Sequence, residues 1–268
     1  MVIVNWLLML ITFGIYYPWA KAKQLKYLYN ATTFNDDAFT FNGTGKEIFI
    51  GFIKAFVIFG VIFSMPVIFV QLHSPLLGIL FLYLFLFLII PVAIHGSVRY
   101  RLSRSSWRGI RFGYRGTKKQ LIVKFYLGML LTILTFGIYG AWMAVNIMTS
   151  VINNIRFGSV EFKFKGNGGR YFAINFLGFI LTILTLGIYF FWFQKQRFEF
   201  FTNNISASQD GKELKLQSTA TGFGFFKLLM GNVIIVLFSL GLAYPWSVTR
   251  TLSFIASNIK FEGELNLD

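Results

Sequence analysis

"TFGIYYPWAKAK", Thr12 to Lys23, decides how this chain is read, because parts of it return three times. "TFGIYGAWM" starts at Thr135, "TLGIYFFWF" at Thr185 and "SLGLAYPWS" at Ser239. Aligned on Gly14, Gly137, Gly187 and Gly241, each copy has Thr or Ser two residues earlier and Trp five residues later. Those positions are Thr12, Thr135, Thr185 and Ser239, and Trp19, Trp142, Trp192 and Trp246. An Asn-rich helix end follows at Asn30, Asn153, Asn203 and Asn258. Then comes a strand-like phrase closed by Gly, "FTFNGTG" at Phe39 and "FKFKGNG" at Phe162, with "ELKLQ" at Glu213 and "ELNLD" at Glu264 as weaker echoes. Short alternating runs between Gly or Asp read as small β-hairpins. A degenerate copy aligns Pro91 with Pro18 and carries an extra apolar span. The unit is one helix, an amphipathic extension and a hairpin, used about five times: 1–45, 46–118, 119–168, 169–218 and 219–268.

The parts of the phrase have separate physical reasons. A Thr or Ser hydroxyl bonds back to a carbonyl four residues earlier and bends a helix. Pro18 and Pro245 lack an N–H and favour a kink. Tyr17, Trp19, Trp142, Trp192, Tyr244 and Trp246 suit the headgroup level, where a ring meets lipid and its polar atom meets water. Lysines just beyond can reach the phosphates.

Composition points to lipid as the solvent. The chain has 268 residues, of which 56% are hydrophobic and only 13% charged, against roughly 25% charged in a soluble domain. The net charge of +15 sits beside long apolar runs, so membrane topology explains it better than nucleic acid, which is set aside. With no Cys, thiolate chemistry and disulfides are excluded. The N-terminal run precedes its lysines, the reverse of a cleavable signal.

Six segments are long enough for spans: Val2–Trp19, Ile48–Val70, Leu76–Ile94, Leu121–Val145, Tyr171–Phe193 and Phe223–Trp246. Of the 25 Lys and Arg, 19 then fall in the loops after the first, third and fifth spans. That split puts both termini outside the cytoplasm. Copies that each cross once also point alternately, as inverted repeats do. The alternative is that each copy bends back at its Gly or Pro and all β-hairpins lie on one side. The charge split favours crossing.

The order Gly-Ile-Tyr-Tyr-Pro-Trp-Ala-Lys, then Asn, then Phe-x-Gly-x-Gly within Leu10 to Phe52, with "LTLGIYFFW" and "LGLAYPW" later, resembles the YjgN-like family of bacterial inner-membrane proteins. The resemblance covers nearly the whole chain. It implies a multi-span inner-membrane protein and carries no agreed activity, cofactor or catalytic residue. In that family a strand and Gly precede the first such helix, whereas this chain begins almost inside it.

Nothing points to an enzyme. None of the ten acidic residues lies in mid-span, and His73 and His95 do not make up the three or four ligands of a zinc site. No cofactor is expected. The expectation is therefore an all-α polytopic membrane protein of about six transmembrane helices, built from about five degenerate helix-plus-hairpin repeats. Membrane lipids are its expected partners. Its candidate pathway or helix-kink residues are Asn5, Thr12, Gly14, Pro18, Thr135, Gly137, Asn175, Thr185, Gly187, Asn232, Ser239, Gly241 and Pro245. Two functions suit them. One is passage of a small solute, ion or lipid-like molecule through or along the bundle. The other is a non-transporting scaffold that binds a partner through its hairpins.

Overall fold

The computed structural model describes residues 2–263. Glu264 and the rest of the "ELNLD" echo lie outside the described residues. The chain divides into two units, Met1–Phe112 and Gly113–Asp268. The first holds α1 (Val2–Ile11), α2 (Tyr17–Asn30), β1 (Thr33–Phe34), β2 (Asp37–Phe41), α3 (Gly45–Gln71), α4 (Pro75–Ser103), β3 (Ser105–Trp107) and the start of β4 (Ile110–Tyr114). The second holds α5 (Lys118–Leu134), α6 (Gly140–Ile152), β5 (Ile155–Phe157), β6 (Val160–Phe164), α7 (Gly168–Leu184), α8 (Phe190–Asn203), β7 (Ile205–Gln209), β8 (Lys212–Ser218), α9 (Gly222–Phe238), α10 (Tyr244–Ser257) and β9 (Ile259–Glu262).

This corrects the all-α, six-span expectation. Nine strands form among the described residues; in the first unit β1 to β4 pair antiparallel in chain order, and in the second β5 to β9 do, so they do not stand as isolated small hairpins. Only α3 and α4 are, among the described residues, long and apolar enough to cross a membrane. The other four expected spans are each cut in two by the repeated phrase. Leu121–Val145, for example, is α5 running out and α6 running back. Hydropathy could not see the reversal, because the turn itself is apolar and the apolar run continues through it.

Several contacts fix the antiparallel course. Lys124 Nζ donates to Ser150 Oγ at 2.8 Å. A methyl placed on Gly128 would lie 2.7 Å from Met143, and one on Gly140 3.5 Å from Thr132. Sequence position rises along α5 as it falls along α6. One backbone bond closes the base of each pair. Asn42 N–H donates to Arg104 O (2.7 Å), Arg115 to Asn154 (2.9 Å), Lys165 to Asn204 (2.9 Å) and Thr219 to Asn258 (3.0 Å). The flanking strands then pair directly, β2 with β3 through Phe39↔Trp107, and β6 with β7 through Phe162↔Ala207. Each helical hairpin therefore leaves its sheet and returns to it.

The strand turns explain the tight register. Asn35–Asp36, Arg108–Gly109 and Asp210–Gly211 all have positive φ at both residues, the geometry of a two-residue turn that matches strand twist. In the second unit the best-buried cluster sits where helices meet strands. Ala141, Val145 and Ile152 of α6, Phe164 of β6, Tyr171 of α7 and Phe200 of α8 pack together. The helices beyond this base present apolar side chains outward, including Leu127, Leu130, Ile133, Phe176, Phe179 and Ile183.

Candidate functional site

The repeated phrase builds one turn four times. Gly14 N–H bonds back to Met9 O (2.8 Å), Gly137 to Thr132 (2.7 Å), Gly187 to Thr182 (2.7 Å) and Gly241 to Val236 (2.8 Å). This six-to-one bond satisfies orphan carbonyls at a helix C-terminus and leaves the preceding residue left-handed. That residue is Phe13, Phe136, Leu186 or Leu240, with φ of +48° to +50°. A left-handed side chain costs about 1–2 kcal/mol. These four side chains are also 97, 99, 95 and 92% exposed.

The hydroxyl before them stitches the two helices together. Thr12 Oγ1 donates to Leu8 O (2.6 Å) and accepts from Tyr16 N–H (3.0 Å). Thr135 and Thr185 each donate at 2.7 Å and accept at 2.9 Å from Tyr139 and Tyr189. Ser239 accepts from Ala243 at 3.0 Å. The α3–α4 turn has the same form with different chemistry. Ser74 N–H bonds to Phe69 O (2.8 Å), and the left-handed residue is His73.

Of the predicted residues, the Thr, Ser and Gly of each phrase fall at its turn, and Asn5, Asn175 and Asn232 lie within helices. Pro18 and Pro245 stand in the first turn of α2 and α10, where no N–H is needed; they open helices and kink none. Asn5 is half-buried in α1. Asn175 bonds to Tyr171 O (2.6 Å) and Asn232 to Thr251 Oγ1 (2.9 Å). Trp19, Trp142 and Trp192 lie over the glycine that opens the next helical hairpin. A methyl on Gly45, Gly168 or Gly222 would meet their Cδ1 at 2.5, 2.3 and 2.5 Å. They tie one helical hairpin to the next, Trp192 while itself part-exposed; Tyr17, Tyr244 and Trp246 are exposed.

Sequence reasoning missed the helix caps Thr44, Thr117, Asn167 and Thr221. Each side chain accepts from the N–H three residues on; the Thr or Asn just before the helix was the available signal. It also missed a cleft of about 460 Å³ along one face of α7 and α8. Arg170, Glu199, Asn203 and Asn204 lie at its strand end, and Ile174, Leu177 and Leu181 continue it toward the turn. Glu199 pairs with Lys195. Arg170 has no ion pair among the described residues, so its charge is available to a ligand. The spacing of Arg170, Ile174, Leu177 and Leu181 marks one helix face. A straight Tyr171–Phe193 span would have sent Asn203 to the opposite membrane side from Arg170, so the two walls of the cleft could not have been brought together from sequence.

The α3–α4 hairpin of the first unit has two helices long and apolar enough to cross a membrane. The chain belongs to the YjgN-like family of bacterial inner-membrane proteins. The family described as "Bacterial protein of unknown function (DUF898)" matches residues 1–165 and 159–211. Inner membrane protein YjgN of Salmonella typhimurium is 29% identical over 158 residues, 59% of this chain and 38% of that protein. The YjgN proteins of Escherichia coli O157:H7 and K12 are each 32% identical, over 57% and 56% of this chain and 38% and 37% of theirs. The chain thus matches well under half the length of these relatives. No solved structure matches.

Proposed function

We propose that this is a non-enzymatic membrane protein that holds a lipid-like amphiphile in the α7–α8 cleft and lets it pass along the hairpin surface. The observation that carries this is the polarity of the cleft. Its strand end offers the Arg170 guanidinium and two amides beside a Glu199 already paired with Lys195, and toward the turn α7 offers branched aliphatic side chains facing Tyr189 and Gln196, which bond to each other. An anionic headgroup suits the first and an acyl chain the second. A path for a solute through the bundle has less support, because the Thr and Ser hydroxyls are bonded into the backbone at separate turns.

The test is lipid retention by the purified protein, read by native mass spectrometry and by crosslinking to a phospholipid with a photoreactive acyl chain. Leu177→Trp should fill the cleft and cut crosslinking at least tenfold. Arg170→Gln should weaken retention of anionic lipid more than of zwitterionic lipid. Leu127→Trp, on the exposed face of α5, should change neither. Equal crosslinking in all three variants would defeat the reading and leave the scaffold role.

A further inference from the structure

Hairpin length and turn chemistry vary together. In the first unit, α3–α4 has no Asp, Glu, Lys or Arg from Ala55 to Val98. Its charge-free arms of 17 and 24 residues rise about 26 and 36 Å at ~1.5 Å per residue. A bilayer core is about 30 Å thick. This long hairpin ends in Gln71, Leu72, His73 and Ser74, with His73 exposed.

The hairpins of the second unit are short. They are charge-free only from Phe125 to Ile155, Tyr171 to Gln194 and Leu228 to Thr249. The outgoing arms Phe125–Leu134, Tyr171–Leu184 and Leu228–Phe238 rise only about 15–21 Å. The returning arms meet charge sooner, at Lys195 in α8 and Arg250 in α10. These hairpins end in Phe136, Leu186 and Leu240, almost fully exposed and followed by Ile138, Ile188 and Leu242, which are exposed too. In the first unit, the short α1–α2 pair ends in the same way at Phe13.

We infer that the three short hairpins of the second unit are re-entrant. They enter the bilayer from the strand side, stop in the near leaflet with Phe136, Leu186 and Leu240 among acyl chains, and return. The α3–α4 hairpin crosses, and it delivers His73 to the water beyond. The physical argument is solvation. An exposed Phe or Leu held left-handed at a hairpin end gains nothing in water, and burying it in hydrocarbon is favourable. A polar end could not stop there without losing its hydrogen bonds. The turn backbone tolerates this depth because its N–H groups are bonded within the turn. In each unit the Lys and Arg gather at the strand end, which puts the strands in the cytoplasm. This replaces the alternating topology, which required six crossings.

The absence of cysteine gives a clean test in the full-length chain. Single variants Asp36→Cys, Asp210→Cys, His73→Cys, Phe136→Cys, Leu186→Cys and Leu240→Cys are treated with a membrane-impermeant maleimide. The reagent is applied to cells with a permeabilised outer membrane and to inverted inner-membrane vesicles. Asp36→Cys and Asp210→Cys should label only in inverted vesicles, and His73→Cys only in cells. The three turn variants should label in neither until detergent is added. A bimane at those positions should be quenched most by a nitroxide within the acyl chain. Ile138→Cys and Ile188→Cys repeat the test if a turn variant does not accumulate. Labelling of the turn positions in cells would show that these hairpins cross. Labelling in inverted vesicles would show that they never enter. Opposite sides for Asp36 and Asp210 would restore alternation. Any of the three overturns the inference.

Discussion

Substituting Gly168→Ala probes the tie between neighbouring helical hairpins. Gly168 opens α7, and a methyl there would lie 2.3, 2.6 and 2.8 Å from Cδ1, Cγ and Nε1 of Trp142. Carbon atoms in contact prefer about 3.5–4.0 Å, so the indole must move by about 1 Å. It has little room, because it stacks on Phe172 at 5.5 Å and on Tyr139 at 6.1 Å. Overpacking of this kind costs about 1–3 kcal/mol, offset by at most ~1 kcal/mol of helix propensity. The net loss is about 1–2 kcal/mol, which for a chain of this size lowers Tm by roughly 2–8 °C. Gly140→Ala is the matched control. It also opens a helix, and its methyl meets only Thr132 Cγ2 at 3.5 Å, so its Tm should hold or rise slightly. In a Trp142→Ala background the Gly168→Ala penalty should vanish, giving a coupling energy of about 1–2 kcal/mol in the cycle. The assay is thermal unfolding in detergent followed by far-ultraviolet circular dichroism. An unchanged Tm for Gly168→Ala, or the same penalty without Trp142, would refute the tie.

Two further outcomes follow from the turns and strands. Thr185→Val removes both bonds that stitch α7 to α8 and should cost about 1–3 kcal/mol; Thr185→Ser should recover most of it in the same unfolding assay. The Ser206 hydroxyl and the Lys165 ammonium hold the Glu213 carboxyl below its usual 4.5. That contribution is complete above the unfolded value and disappears as pH falls through the lowered folded value. Unfolding profiles should therefore be flat from pH 7 to 5 and fall below about 4.5, and Glu213→Gln should show a shallower acid limb.

Much of the design was legible in the four copies of the phrase. Their residues marked the membrane setting and the family. The direction of the chain was not legible. Thr185 was read as bending a helix, but the Gly187 N–H closes a reversal and the residue before it goes left-handed. A turn in water advertises itself with polar residues. A turn exposed to hydrocarbon does not, so α7 and α8 read as one span. The same error hid the cleft, which exists only when Arg170 and Asn203 come to the same end. Trp142 was assigned to the headgroups because tryptophan favours them, and its glycine partner lies 26 residues away with no local signal. The strands were visible as hairpins, but their pairing across the helical excursions depends on base contacts such as Lys165 to Asn204, which no periodicity records.

The tryptophan ties also bear on how the chain assembles. Trp19 reaches Gly45, Trp142 reaches Gly168 and Trp192 reaches Gly222, so each joins a finished helical hairpin to the opening residue of the next. Contacts this close in sequence form quickly. A newly synthesised hairpin needs only its predecessor as a template, and each can settle while the ribosome is still making the following one. It then need not wait for distant parts of the chain before finding its place. Losing one tie should delay every hairpin made after it and leave those made before it undisturbed.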